Sequence, residues 1–128
     1  MKMDRKSFWL ILGALSAAIA VSTGAFGAHF LDGVVSDSTY VTFTKAVRYQ
    51  MYHSFALILV SLLSSQSNEK VVNISGWCFV VGILTFSGSL YLIVFTGLEW
   101  IGGIAPIGGF AFVFGWLFLA YSGVQKKS

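Results

Sequence analysis

The sequence predicts an all-α fold: a bundle of four transmembrane helices, with an interfacial amphipathic helix between the first and second spans. Hydrophobic residues make up 56% of the 128-residue chain and charged residues only 10%, which is less than half the charged share of an ordinary soluble domain. The hydrophobic residues also fall into four long runs. A soluble protein of this size could not cover its surface with so few polar groups, so residues 1–128 are interpreted as a single integral membrane domain.

Four segments are candidates to cross the bilayer, whose hydrocarbon core of about 30 Å needs roughly 20 helical residues. The predicted spans are approximately residues 8–28, 48–66, 72–95 and 104–124. The second segment is strongly apolar only over residues 51–63. It reaches the required length only if the helix begins upstream and carries Arg48, Gln50 and His53 towards the membrane.

The basic residues at the ends of these segments predict that both termini lie in the cytoplasm. If the spans alternate, Lys45 and Arg48 fall on one side of the membrane and the other six basic residues fall on the opposite side. Those six are Lys2, Arg5, Lys6, Lys70, Lys126 and Lys127. Because cytoplasmic loops carry the excess of lysine and arginine, the larger group marks the cytoplasmic side.

The polar connection between the first two segments predicts the interfacial helix. Asp37 or Ser38 is in position to cap its start. An apolar stripe follows at spacings of three and four residues: Tyr40, Phe43 and Val47. Lys45 and Arg48 lie roughly opposite this stripe. The pattern is typical of an amphipathic helix at the membrane surface that continues into the second span.

Small residues predict where the helices approach one another closely. In the first span they recur every four positions: Ser16, Ala20, Gly24 and Ala28. In the fourth span they are Gly108, Ala111, Gly115 and Ser122. Lipid tails are as apolar as leucine, so membrane helices associate through such close packing and through polar contacts. Pro106 suits the first turn of the fourth helix, where its missing N–H is not needed.

A cluster of polar side chains is predicted at the outer end of the second span. Its candidate binding residues are His29, Arg48, Tyr49, Gln50 and His53. Ionisable groups within a membrane are costly and usually face the bundle interior or an aqueous cavity. The favoured interpretation is a hydrogen-bonded cluster that fixes the junction of the first two helices, with Gln50 and His53 held near His29.

Other chemistry at this cluster is weighed against that interpretation. His29 and His53 could act as axial ligands of a haem, but two histidines at helix ends are weak evidence. Ser54 follows His53, but adjacent helical side chains point about 100° apart, and no orienting acid completes a hydrolytic site. The sequence therefore predicts no catalytic residue, no metal site and no cofactor. The scattered basic residues predict no nucleic-acid partner.

A second set of polar residues lies in the third span and is interpreted as a polar interior. Its members are Ser87, Ser89, Tyr91 and Thr96. The first interpretation is that these hydroxyls bond across helices or to carbonyls of their own helix. The alternative is a polar path for a solute, formed by an oligomer and lined by Ser87, Ser89 and Thr96.

Four motifs resemble those of one family. They are "GAFGAH" at 24–29, "AVRYQMYH" at 46–53, "FSGSLY" at 86–91, and "IAPIGG" followed by "GW" within 104–116. With these motifs in order along nearly the whole chain, it resembles the small four-helix inner-membrane proteins of the YgdD/YwdK type, a family of unknown function. The resemblance implies a bacterial cytoplasmic (inner) membrane protein and implies no reaction. Ala105 departs from the pattern, since many relatives have threonine there.

The sequence thus predicts a non-catalytic membrane protein that binds membrane lipid or a partner membrane protein through the outer polar cluster. A homo-oligomer is compatible with this prediction. The alternative function is a small channel or transporter formed by an oligomer. A cofactor-binding or enzymatic role ranks third.

Overall fold

A computed structural model describes residues 3–125, and its regular elements are helices. They are α1 (Arg5–Phe30), α2 (Asp37–Leu63), α3 (Glu69–Gly82), a π-helical turn (Ile83–Ser87), α4 (Gly88–Thr96), a 3-10 turn (Glu99–Gly103) and α5 (Ala105–Val124). The all-α prediction is confirmed. Lys2, Lys126 and Lys127, which contribute to the predicted orientation, lie outside the described residues.

Three helical segments within residues 3–125 are long and apolar enough to cross a membrane. They are Arg5–Phe30, Glu69–Thr96, in which α3, the π-helical turn and α4 are continuous, and Glu99–Val124. The remaining long helix, α2, has 27 residues, so its length would suffice. Its composition falls short because Arg48, Gln50 and His53 interrupt the apolar residues.

The segment predicted as an interfacial helix is the N-terminal part of α2. Within residues 3–125, no separate helix lies between α1 and α2. Ser36, rather than Asp37 or Ser38, is the N-cap, and its side chain accepts a hydrogen bond from the N–H of Thr39. Residues 37–63 contain no glycine or proline, so no residue in this range favours ending the helix early. The helix is therefore continuous through Arg48, in agreement with the prediction that the upstream segment continues into the second span.

The centre of the bundle is formed by α2 and the long helix of residues 69–96. Helix α1 packs along α2, and α5 packs along α3. The buried core consists of Trp9, Ala56, Leu57, Val60, Val72, Phe79 and Phe112. Large apolar side chains are exposed on the outer helices, among them Leu15, Ile19, Val21, Phe110, Val113 and Leu117. An apolar exterior of this extent is what lipid contact requires.

The predicted small-residue stripes do lie at helix contacts, with one exception. Ala20 is fully buried, and a Cβ placed on Gly24 would lie 3.3 Å from α2. Gly108 of α5 packs directly against the backbone of the π-helical turn. Ala28 is exposed. Pro106 lies in the first turn of α5, as predicted.

Polar contacts join the neighbouring ends of α1 and α3. Asp4 is the N-cap of α1, and its carboxylate accepts a 2.8 Å hydrogen bond from the backbone N–H of Ser7. This hydrogen bond lowers the pKa of the Asp4 carboxyl. The Arg5 guanidinium lies 3.6 Å from the Glu69 carboxylate, with both side chains exposed. The N-termini of α1 and α3 are therefore on the same side of the bundle.

Candidate functional site

The predicted polar cluster lies in the middle of α2. Gln50 is thirteen residues from Asp37 and thirteen from Leu63, or roughly 20 Å from either end at about 1.5 Å per residue. Its side chain bonds to Ser16, which is near the middle of α1. These residues are predicted at the outer end of the second span on a helix that begins upstream, and α2 does begin about three turns before Arg48; the structure places them at the middle of that helix rather than near its end.

Gln50 joins three helices through its amide. Its Nε2 donates a hydrogen bond to the carbonyl oxygen of Ser16 in α1 at 3.0 Å. Its Oε1 accepts a hydrogen bond from the Tyr91 hydroxyl in α4 at 2.7 Å. The side chain is only 5% exposed. Gln50 therefore acts as a cross-link at the centre of the bundle.

Ser54 extends this cross-link by one turn of α2. Its Oγ lies 2.7 Å from Ser16 Oγ and 2.7 Å from the carbonyl oxygen of Gln50. The side chain is fully buried. Gln50 and Ser54, at i and i+4, thus share one face of α2 and bond to the same residue of α1.

His53 faces α5 and has a protein partner for each ring nitrogen. Trp116 Nε1 lies 3.1 Å from His53 Nε2, and an indole nitrogen can only donate. Nε2 therefore accepts, and Nδ1, 2.7 Å from the carbonyl oxygen of Tyr49, carries the proton and donates it there. The imidazole stacks on Phe112 with ring centroids 3.5 Å apart and an interplanar angle of 8°. These contacts hold His53 as a neutral, oriented ring.

The predicted partnership of His53 with His29 is not formed. His29 is exposed in the last turn of α1, and within residues 3–125 no hydrogen bond or ring contact joins the two histidines. Arg48 is exposed on α2. The ring of Tyr49 contacts Phe86 at a centroid distance of 4.8 Å. Of the five predicted residues, Gln50 and His53 are buried. Gln50 points towards α1 and α4, whereas His53 points towards α5.

The residues predicted as a polar interior are bonded to protein acceptors. Ser87 Oγ donates to the carbonyl oxygen of Ala46 across the helix interface at 2.8 Å. Ser89 and Thr96 donate to carbonyls of their own helix, at 2.9 and 2.5 Å. Tyr91 donates to Gln50, as described above. These bonds agree with the first interpretation, in which the hydroxyls connect helices or return to their own backbone.

Sequence reasoning missed two members of the cluster. Ser16 was identified only as a small packing residue, and Trp116 was not connected to His53. A signal for Trp116 was present, because an indole N–H deep in an apolar span needs an acceptor. His53 offers such an acceptor, but hydroxyls and carbonyls in the predicted spans offer others, so this signal does not single it out.

Two grooves flank the polar cluster. The aromatic groove, between α2 and α5, has a volume of about 550 Å³ and is lined by Tyr49, Tyr52, His53, Phe86, Gly109, Phe112, Val113 and Trp116. The aliphatic groove, between α1 and the long helix, has a volume of about 340 Å³ and is lined by Leu12, Leu15, Ser16, Ile19, Gln50, Leu57, Val80, Ile83 and Leu84. Volumes of this size match those of small-ligand sites.

The polar cluster provides few free side-chain ligands for a metal ion or for haem iron. No group of three or more His, Cys, Asp or Glu side chains within residues 3–125 could hold a metal ion. His53 would have to lose its bond to Trp116 or to Tyr49 before either nitrogen could bind iron. The arrangement is suited to holding helices together and to shaping the floor of the aromatic groove.

The apolar exterior and the helix lengths define the class of protein: a small helical integral membrane protein. The chain belongs to the family described as "Protein of unknown function (DUF423)", whose profile matches residues 23–109. The relatives of the chain include YwdK, so the resemblance inferred from the four motifs is confirmed.

The relatives are bacterial proteins named as UPF0382 membrane proteins. One from Staphylococcus aureus (strain bovine RF122 / ET3-1) is 48% identical over 87% of this chain and 90% of its own length. One from Staphylococcus haemolyticus (strain JCSC1435) is 46% identical over 89% of this chain and 93% of its own. YwdK of Bacillus subtilis (strain 168) is 39% identical over 91% of this chain and 96% of its own. No solved structure matches the chain.

Proposed function

We propose that this protein is a non-catalytic, four-span protein of the bacterial cytoplasmic membrane that binds the acyl chain of a membrane lipid in the aromatic groove. The observation that carries the proposal is the groove itself, an open cleft of about 550 Å³ between α2 and α5. Its walls are largely aromatic, and the exterior of α2 and α5 carries exposed apolar side chains such as Phe55 and Phe110. Trp116 Nε1 and His53 Nε2, from two residues that line the groove, are bonded to each other, so an acyl chain leaves neither nitrogen without its partner.

The hydrogen bonding of the cluster supports binding over catalysis or conduction. Each buried polar side chain of the cluster has a hydrogen-bond partner within the protein, as shown for Gln50, Ser54 and His53. A general base or nucleophile needs a free, directed lone pair, and a solute path needs successive free polar groups. The hydroxyls of Ser87 and Ser89 are already bonded to protein carbonyls. The oligomeric channel therefore has less support than a lipid-binding protein.

The four-span topology, with both termini in the cytoplasm, is part of the proposal. Helix α2 is about 40 Å long by its 27 residues, and its polar residues Gln50 and His53 are buried against other helices. Such burial lets a helix of modest hydropathy cross the membrane. The loop after α1 then faces outwards and the loop after α2 faces the cytoplasm.

Single cysteines in these two loops test the topology. In a Cys78→Ala background, a membrane-impermeant maleimide added to intact spheroplasts should label Val34→Cys and should not label Gln66→Cys. Both positions are exposed, so a difference in labelling reports the side of the membrane. Labelling of both positions would mean that α2 does not span. Labelling of Gln66→Cys alone would invert the orientation.

Filling the aromatic groove should remove the bound lipid. A Cβ built on Gly109 meets nothing within 4 Å, and Gly109 lines the groove, so Gly109→Phe adds a ring at the groove without a clash at the Cβ. Native mass spectrometry of the protein released from membranes should show a retained phospholipid on the parent, reduced about tenfold in Gly109→Phe. The loss corresponds to about 1.4 kcal/mol of binding free energy, within the burial energy of a few methylenes.

Gly123→Phe is the matched control for groove filling. Gly123 also has open space around its Cβ and lies on α5 outside the groove. Its lipid retention should equal that of the parent. Equal retention by Gly109→Phe would reject the aromatic groove as the lipid site. A parent that carries a second protein chain and no lipid would reject lipid binding in favour of an oligomer or a partner membrane protein.

A further inference from the structure

Two cations adjoin the aromatic groove on the exposed face of α2. Lys45 and Arg48 are both exposed and are three residues apart, so they share a face of the helix. Tyr52, one turn beyond Arg48 on that face, is 51% exposed and lines the groove. The cations thus form one end of a surface that continues into the groove.

Neither cation has a carboxylate partner. Among residues 3–125, the ion pair with N to O within 4 Å is Arg5 with Glu69, at a helix end away from Lys45 and Arg48. The other side chains exposed along this face of α2 include Val41, Phe55 and Leu59. An unpaired cation beside apolar surface is costly in a membrane unless its charged head reaches water or an anion at the headgroup level. An anionic headgroup held beside the groove complements both charges.

We infer that the lipid in the aromatic groove is an anionic phospholipid whose phosphate is bound by Arg48 and Lys45; this inference rests on the lipid binding proposed above. Both cations lie in the half of α2 nearer its outer end, and long basic side chains extend along a helix to reach the headgroup region. The guanidinium fork of Arg48 matches two phosphate oxygens, and the Lys45 ammonium adds a second donor one turn further out. From Arg48 the acyl chain passes Tyr52 and enters the groove towards Trp116. The order of these residues along α2 and α5 sets the direction in which the acyl chain runs.

The charge of the headgroup decides how strongly the two cations contribute. Each basic residue near an anionic membrane surface contributes about fivefold in affinity. A zwitterionic headgroup has a phosphate but also an ammonium that offsets this attraction. We expect the parent protein to prefer phosphatidylglycerol over phosphatidylethanolamine by about tenfold or more.

Competition between these two lipids tests the inference. Purified protein is reconstituted in nanodiscs with equal amounts of phosphatidylglycerol and phosphatidylethanolamine, and the lipids retained on the released protein are counted by native mass spectrometry. The double variant Lys45→Gln/Arg48→Gln should retain the same total lipid as the parent with nearly equal amounts of each. Arg48→Lys, which keeps the charge, should retain most of the preference.

Lys70→Gln is the control for loss of a positive charge away from the groove, because Lys70 is also exposed but lies at the start of α3. Its lipid preference should equal that of the parent. If the parent retains both lipids without preference, the inference is overturned while lipid binding in the groove stands. The inference is also overturned if Lys70→Gln and the double variant lose the preference equally. If the parent retains no lipid, the inference and the proposed function both fail.

Discussion

Replacing Gly108 with alanine should lower the free energy of unfolding by about 1–3 kcal/mol, the usual cost of overpacking a tightly packed contact. A Cβ at this position would lie 2.4 Å from the backbone nitrogen of Phe86 and 2.6 Å from Thr85 Oγ1. Both atoms belong to the π-helical turn, whose backbone cannot move aside as a flexible side chain could. The expected result is that α5 shifts away from the long helix and the bundle is weakened.

The adjacent glycine supplies the control. A Cβ on Gly109 would meet nothing within 4 Å, so Gly109→Ala should be neutral or stabilising by up to about 1 kcal/mol, since alanine favours the helix. Unfolding in mixed micelles with increasing dodecyl sulfate, followed by far-ultraviolet circular dichroism, measures both variants. Equal stabilities for the two variants would contradict the close contact between α5 and the π-helical turn.

Replacing Gln50 with alanine should lower the free energy of unfolding by about 2 kcal/mol. The substitution removes the hydrogen bonds to Ser16 and Tyr91, each worth up to about 1.7 kcal/mol within a membrane, and leaves a small cavity. Because Gln50 connects α1, α2 and α4, three helices lose a shared contact. The same micelle titration measures the effect.

A second glutamine and a double-mutant cycle separate this effect from a general loss of an amide. Gln66 is exposed, and its side chain donates a 3.4 Å hydrogen bond to the carbonyl oxygen of Leu62, so Gln66→Ala should change stability by less than about 0.5 kcal/mol. Tyr91→Phe should cost at least about 0.5 kcal/mol less in the Gln50→Ala background than in the parent. Strictly additive losses would mean that the Tyr91 hydroxyl does not depend on Gln50.

Several features could be read from local sequence because local physics decides them. The apolar runs predict helices, and small residues such as Ala20 predict close packing. Pro106 predicts the first turn of α5. The hydroxyls of Ser87 and Ser89 were expected to find carbonyls, since buried polar groups in a membrane need partners. The motifs also identified the family, now supported by the match over residues 23–109.

The errors concern the position of the polar cluster along α2 and which side chains meet. Hydropathy falls near Arg48 and marks the expected end of the span, but α2 continues back to Asp37, so the cluster lies at mid-helix. His29 and His53 looked close because both were assigned to helix ends. With α2 extended, His53 lies in mid-helix beside α5 and His29 stays at the end of α1.

The sequence by itself determined the all-helical architecture, the apolar exterior and the membership of a membrane-protein family, because each depends on composition or on neighbours a few residues apart. Only the tertiary structure decided that Gln50 cross-links α1 and α4, that Trp116 orients His53, and that Lys45 and Arg48 adjoin the aromatic groove. Trp116 and His53 are 63 residues apart in the chain. Such contacts depend on how the helices align against one another, which no local pattern in the sequence specifies.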